Sequence, residues 1–596
     1  VALRSKDPEF SWGGAARLTG GNQENREVAV AFTGPLIADQ LAFRISGEYQ
    51  FLDTGFRYPR LDALNLGGSD DLVRSEYANV KARLLFTPKG VPELSARLSY
   101  SFANDRPTLL LQATGPDFEA RESFAPYATL EDGTVHNAAL ELGYGLTEAI
   151  TLTSVSAFHS GGRDRDGLRF IDPDPTLIIP VGSKGDLINS DFTQELRLNY
   201  ETDRTQAVIG GYFGHFDSDS ENRNLGDIFP IVEGLIAEAV GGPVPPAEIL
   251  YDAYTDFETV VDNIAVFGEV NQEVTEALKV TVGLRYDNEN FTQSSESVAD
   301  VSADPQAFGM FTPIILGVLR AQIQEPPTNP ETTYSAFLPK VGLAYDVTSD
   351  LTVGATVQRG YRSGGAQILV NGELNVFDPE YTWNYEVSLR SRWLNGRLTA
   401  NVNAFYMDWT DQQLSVPIEG TTLVRTANAG ASTLYGFEME LRAIPVLGLT
   451  LFSSLGIVET EFDEFILNGV DLSGFSFPSS AGESYSIGFL YRPGNGLANG
   501  FFATADVSHT GSYFSAVGTG SDGQNDPDLK AGDYTVVNAR VGYEYGFRGR
   551  MLGVSLFARN LFDEPVELQA VTGGFGGRVV QFGLPAVYGV TLDVDF

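Results

Sequence analysis

Val587-Tyr588-Gly589-Val590-Thr591-Leu592-Asp593-Val594-Asp595-Phe596 closes the chain. Tyr588, Val590, Leu592, Val594 and Phe596 fall on one parity, and Gly589, Thr591, Asp593 and Asp595 on the other. A strand sends alternate side chains to opposite faces, so this one has an apolar face and a polar, partly anionic face. In a soluble sandwich the apolar face meets a second sheet. In a membrane barrel it meets lipid, and the polar face lines a wet interior. The stretch alone does not choose between the two.

Composition narrows the choice. For a soluble protein, 596 residues suggest about four domains, but no linker or shift of composition divides the chain. No apolar run reaches the roughly 18 residues of a transmembrane helix, which says nothing against a barrel. There are 64 glycines, 39 phenylalanines and 25 tyrosines, with no cysteine. Disulfides and thiolate metal sites are therefore excluded. The net charge of −39 repels phosphate backbones and argues against nucleic-acid binding. It favours cationic ligands or divalent ions bridging to lipopolysaccharide. The plainer reading is a solvated acidic surface.

Period-2 segments recur along the whole chain, 22 in all, from Phe10–Gly20 to Ala586–Phe596. Connections after even-numbered segments are short, as at Gly34–Asp39, Thr87–Pro92, Val347–Asp350 and Leu394–Gly396. Those after odd-numbered segments are mostly long: Asp53–Val73, Ala103–Thr134, Gly162–Asp191, Asp217–Thr259 and Thr292–Thr333. An up-and-down meander puts alternate connections on opposite rims, so short turns share one rim and long loops the other. That is the asymmetry of a transmembrane barrel with periplasmic turns and extracellular loops. Leu398, Ala400, Val402, Ala404 and Tyr406 oppose Arg397, Thr399, Asn401 and Asn403, and Leu196, Leu198 and Tyr200 oppose Glu195, Arg197 and Asn199. Inside a packed core those polar groups would cost several kcal/mol each; in a wet lumen they cost little. Trp393, Trp409 and Tyr545 are read as interfacial aromatics. The expectation is a 22-stranded antiparallel transmembrane β-barrel, all-β, over residues 10–596.

Four stretches resemble the TonB-dependent outer-membrane receptors. They are Gly360–Ala366, Asp378-Pro379-Glu380 with Trp383–Val387, Leu434–Glu440, and Ala558–Pro565, where Val566 replaces a frequent Tyr. The terminal strand, ending on Phe596, resembles the C-terminal signal of outer-membrane proteins. The resemblance implies active uptake of a scarce ligand across the bacterial outer membrane. A ferric siderophore is foremost, with cobalamin, haem or a saccharide as alternatives. It also implies coupling to TonB-ExbB-ExbD through an N-terminal plug. Residues 1–9 resemble the plug's end and its junction with the barrel, so the plug itself is expected to be cut off, left out of this sequence or carried on a second chain. A passive pore is the competing reading.

Aromatic and basic clusters suit an anionic ferric chelate through stacking and charge. The candidates are Phe56, Arg57, Tyr58 and Arg60 in the second long connection, and Tyr361 with Arg362 at a strand end. Ordinary loop packing is the plainer account of both. Calcium candidates are Asp217, Asp219 and Glu221, Asp172 and Asp174, and Asp522, Asp526 and Asp528, because alternate carboxylates in a loop suit a hard cation. None fits an EF-hand. Two apolar stretches, Ile228–Ala237 and Met310–Ile323, are read as packed on one another or on the rim, with a lid or a surface-lipoprotein contact as the second choice. His136, His159, His215 and His509 are scattered, and no catalytic constellation appears.

Overall fold

The computed structural model describes residues 5–59, 72–107, 110–113, 120–123, 127–171, 179–227, 229, 233, 236–237, 242–244, 246–323, 330–368, 374–417, 424–467, 469–494, 499–517, 526–572 and 578–596. Twenty-two antiparallel strands form one closed sheet. In chain order they are β1 (Gly13–Gly21), β2 (Arg26–Ile37), β3 (Leu41–Asp53), β4 (Arg74–Phe86), β5 (Leu94–Arg106), β6 (Tyr127–Gly145), β7 (Ile150–Ile171) and β8 (Ile179–Glu201). Next come β9 (Thr205–Asp227), β10 (Ile249–Glu273), β11 (Leu278–Ala303), β12 (Glu331–Thr348), β13 (Leu351–Arg362), β14 (Glu380–Trp393) and β15 (Leu398–Pro417). The last seven are β16 (Val424–Val446), β17 (Leu449–Glu464), β18 (Glu483–Tyr491), β19 (Phe501–Thr510), β20 (Tyr534–Phe547), β21 (Arg550–Arg559) and β22 (Val587–Asp595).

Each strand pairs with the next, and β22 pairs with both β21 and β1, so no edge is left. Leu18 faces Leu592 and Arg17 faces Asp593 across the seam. Outward parity carries the lipid-facing residues, such as Leu592, Tyr406, Leu196 and Ile209, all exposed. Inward parity carries the polar groups, as when the Thr19 and Thr591 hydroxyls meet at 3.2 Å. Trp393 and Tyr545 are exposed near the short-turn rim. Trp409 is not an interfacial aromatic. It lies on the inward parity opposite Ser432 and packs edge-on against Phe477 at 6.0 Å.

The connections differ from the expectation. Strands β6 to β11 run 19 to 26 residues, whereas about 9–11 cross a bilayer. Much of Gly162–Asp191, Asp217–Thr259 and Thr292–Thr333 is strand that stands above the membrane and not loop. On their outer face these extensions carry one unbroken cross-strand row of carboxylates: Asp132, Asp164, Asp186, Glu221, Asp256 and Glu296, one per strand from β6 to β11.

Three apolar clusters tie the outer loops together. Phe56, Tyr58, Leu72 and Val73 pack with Ala531, Ala570, Val580 and Phe582. Phe229 and Ile236 pack on Ile315, Leu316 and Leu319 of a helix, α1 (Thr312–Ile323). The two apolar stretches therefore do pack on one another. Phe462, Phe465 and Phe477 centre the third cluster.

Candidate functional site on the lumenal wall

The chain reaches β1 from inside the barrel. Arg83 on β4 donates through Nη1 to the carbonyls of Ser5 (2.8 Å) and Lys6 (3.2 Å) and to the Asp7 carboxylate (3.3 Å). The other Asp7 oxygen accepts from Arg97 on β5 at 3.2 Å, and Arg97 also donates to Glu141 at 2.8 Å. The Glu9 amide donates to Thr33 on β2. Residues 5–9 are thus fastened to three strands of the inner wall, β2, β4 and β5. The chain then turns under the rim at Trp12, whose ring lies 5.4 Å from Phe32 and 5.9 Å from Phe43.

Beside this clamp, the seam is lined with paired charges. Arg17 Nε donates to Asp593 at 2.7 Å, and Arg540 reaches the other oxygen of Asp593 at 3.3 Å. Arg492 pairs with Glu544 through two bonds, with its guanidinium 4.8 Å from the Phe502 ring. These groups border a recess of about 710 Å³ open to the lumen. Across the barrel, Arg285 lies between the Tyr212 and Phe267 rings, at 5.5 and 5.8 Å, and grips Asp287 at 2.5 and 2.7 Å. The side chain of Asn263 reaches both Asp287 (3.3 Å) and Glu289 (2.9 Å). Bidentate and stacked guanidinium groups are strong, directional holds. The wall is therefore polar yet largely self-neutralised, and fixed in shape.

The two ligand-binding clusters read from sequence are not brought together. They stand ten strands apart around the rim, after β3 and at the end of β13. Phe56 and Tyr58 are buried, 3% and 4% exposed, in the loop core. Arg57 is exposed, and its backbone bonds to that of Arg121 and Ser123. Arg60 lies outside the described residues. The Tyr361 ring sits 5.4 Å from Tyr381. Arg362 forms a fork with Glu380 at 2.8 and 2.9 Å, and the Glu380 carboxylate also accepts from the Gln413 amide.

Asp217, Asp219 and Glu221 alternate along the outer face of β9, on strand and not loop. Above the membrane, the Asp256 carboxyl is held above the usual carboxylate range. Burial is the main cause, followed by a hydrogen bond with Asp219 and the charges of Asp219, Glu221 and Glu258. Asp526 caps a short turn by accepting from the Asp528 amide at 3.0 Å. Asp172, Asp174 and Asp522 lie outside the described residues. Among the described residues, no group of three or more His, Asp or Glu side chains converges as a metal site.

Sequence reading missed Asp7, Arg83, Arg97 and Arg285. The inward parity of Arg83, Arg97 and Arg285 was visible, but the contacts of the first two with Asp7 and of Arg285 with the Tyr212 and Phe267 rings join segments far apart in sequence. The Ala558–Pro565 motif has a clear local reason: the Asn560 side chain bonds both the amide and carbonyl of Glu564, at 2.8 Å each, and Asp563 accepts from the Ala586 amide. This turn launches the return to β22.

Comparison with known proteins gives a consistent picture. The sequence model described as "TonB dependent receptor-like, beta-barrel" matches residues 87–561. The metal-pseudopaline receptor CntO of Pseudomonas aeruginosa is 24% identical over 238 residues, covering 40% of this chain and 31% of CntO. The probable TonB-dependent siderophore receptor PiuA of Acinetobacter baumannii is 23% identical over 334 residues, covering 51% of this chain and 41% of PiuA. The matched part is thus well under half the length of either relative. Among solved structures, the ferric yersiniabactin uptake receptor FyuA from Yersinia pestis aligns over 99% of this chain and 81% of its own, with a TM-score of 0.74 and 17% identity. The copper transporter OprC aligns over 99% and 81%, with a TM-score of 0.69 and 13% identity.

Proposed function

From a chain that belongs to the TonB-dependent receptor-like β-barrel family, we propose active uptake of a scarce metal chelate, foremost a ferric siderophore. A β-barrel of this family is an outer-membrane protein, and its relatives are receptors and transporters and not enzymes. The observation that carries the reading is the clamp at Asp7. A closed barrel of 22 strands is too wide to fill with its own side chains, and here the chain ahead of β1 is tied to the inner wall by Arg83 and Arg97. A lumen entered by the chain in this way suits an internal plug, which TonB-ExbB-ExbD would remodel to admit cargo.

The cargo class follows the relatives, whose names specify metal-pseudopaline, siderophores, ferric yersiniabactin and copper. Cobalamin, haem and saccharides are the remaining cargoes of the proposal. Tyr361 and the exposed Arg57 are the rim residues offered for contact with it. The test is uptake of radiolabelled iron chelates by cells with and without the gene, in the presence and absence of TonB. Loss of uptake in both deletions supports the proposal. Unchanged iron uptake, with no induction by iron starvation, rules out the siderophore. Steady single-channel conductance of the native protein would favour a passive pore.

A further inference from the structure

Below the carboxylate row, β8 to β11 carry the opposite chemistry on the same outer face. Here the wall is hollowed. Ala207 on β9 and Gly268 on β10 form a floor, and Tyr200, Ile209, Val282 and Leu284 stand around it. The hollow is an open depression of about 680 Å³. Ile209 is 65% exposed and Val282 53%, so the rim stands clear of the floor. A Cβ on Gly268 would meet the Val208 carbonyl oxygen at 3.2 Å, so a larger residue there would crowd the backbone. The furrow starts at the short-turn rim, where Ala207 follows the turn at 202–204. Arg204 in that turn is exposed and makes no ion pair among the described residues.

We propose that this furrow seats one acyl chain of a phospholipid from the periplasmic leaflet, with its phosphate beside Arg204. The furrow is continuous with the lipid-facing band, so its occupant is a membrane lipid. Lipid tails are as apolar as leucine, and expulsion of water gives no preference for one stretch of wall over another. The preference comes from contact. A chain lying in a concave channel meets wall on three sides, and the dispersion terms sum along its length. The headgroup assignment uses Arg204, because Lys279 at the foot of β11 is already paired with Glu273 at 2.9 Å. The proposal rests on the membrane placement of the barrel and is independent of the uptake reading.

The test is native mass spectrometry of the full chain released from phosphatidylethanolamine nanodiscs. The wild type should keep one phospholipid under activation that strips the rest. Ala207→Phe fills the floor and should lower the retained fraction about tenfold. Ala400→Phe, which puts the same ring on the outward parity of β15, should retain lipid like the wild type. Arg204→Gln should weaken retention less than Ala207→Phe. Heat-modifiable migration checks that each barrel has folded, and Ala207→Met carries the test if Phe is not accepted. Equal retention in all variants overturns the proposal, as does equal loss in Ala207→Phe and Ala400→Phe. A lipopolysaccharide or detergent tail held in its place overturns the assignment to phospholipid.

Discussion

The lower half of the barrel and its tall extension are made by the same strands, but they obey different sequence rules. On β9 the lower stretch puts Ile209 and Phe213 outward among lipid tails. A few residues higher, Ser218-Asp219-Ser220-Glu221-Asn222-Arg223 is polar on both faces while pairing in unbroken register with β8 and β10. Lipid forces every outward residue to be apolar; water on both sides forces nothing. Above the membrane the strand is held by its neighbours' backbone groups and not by a pattern of its own.

The comparison can be broken most directly on β8. Leu196 faces lipid five residues above the strand's lower end, and Asp186 shares its face ten residues higher. Leu196→Arg should cost about 2–4 kcal/mol, as for a cation at the bilayer midplane. Asp186→Arg should cost nothing and relieve repulsion from Asp164 and Glu221. Urea titration in lipid vesicles reads both, and equal costs would mean the extension is also lipid-embedded. A second contrast uses ion pairs. Arg285→Ala strands Asp287, whose side chain is 7% exposed, and should cost about 1–3 kcal/mol. Arg223→Ala releases Asp252 on the extension into water and should cost much less than Arg285→Ala. Thermal unfolding of the two variants decides whether lumen and extension differ.

Within the carboxylate row, Glu221→Gln removes like-charge contacts with Asp186 and Asp256. It should slow amide exchange in the extension by the equivalent of about 0.2–1 kcal/mol. The smallest effect is on pH. The Asp256 carboxyl is raised in the folded state, so the fold binds its proton more tightly than the unfolded chain does. Local stability should therefore increase as pH falls toward the ordinary carboxylate range and decline as pH rises through and above it. Exchange protection of β10 should show that slope in the wild type and lose it in Asp256→Asn. A slope of opposite sign would place Asp256 in a cation's reach.

Strand number and order were legible because lipid writes period two into each spanning segment, as in Leu196-Arg197-Leu198-Asn199-Tyr200. The inward placement of Asp593 was legible from the parity of the terminal strand. Its partner was not: Arg17 lies 576 residues away in sequence, and no local pattern names a partner across the seam. Phe56 and Tyr58 show the other limit. An aromatic in a rim connection has the same sequence signature whether it stacks on cargo or packs in a loop core, and here both rings belong to the buried cluster that includes Val580 and Phe582. Trp409 was misplaced because girdle and lumen differ by one step of parity. The extension was read as loop because polar residues on both faces are what loops also contain.

The seam has a consequence for biosynthesis. Gly14 and Phe596 exchange backbone hydrogen bonds at 2.7 and 2.9 Å, so one edge of the first barrel strand finds its partner only in the closing strand, while β2 covers the other. Until then β1 is an open edge, ready to pair with any other extended chain. The barrel cannot be closed strand by strand from β1 alone, because the closing contact joins its first strand to its last. Yield is set by how long that edge is shielded in transit, and disruption of the last residues of β22 should act as an assembly defect before it acts as a loss of stability.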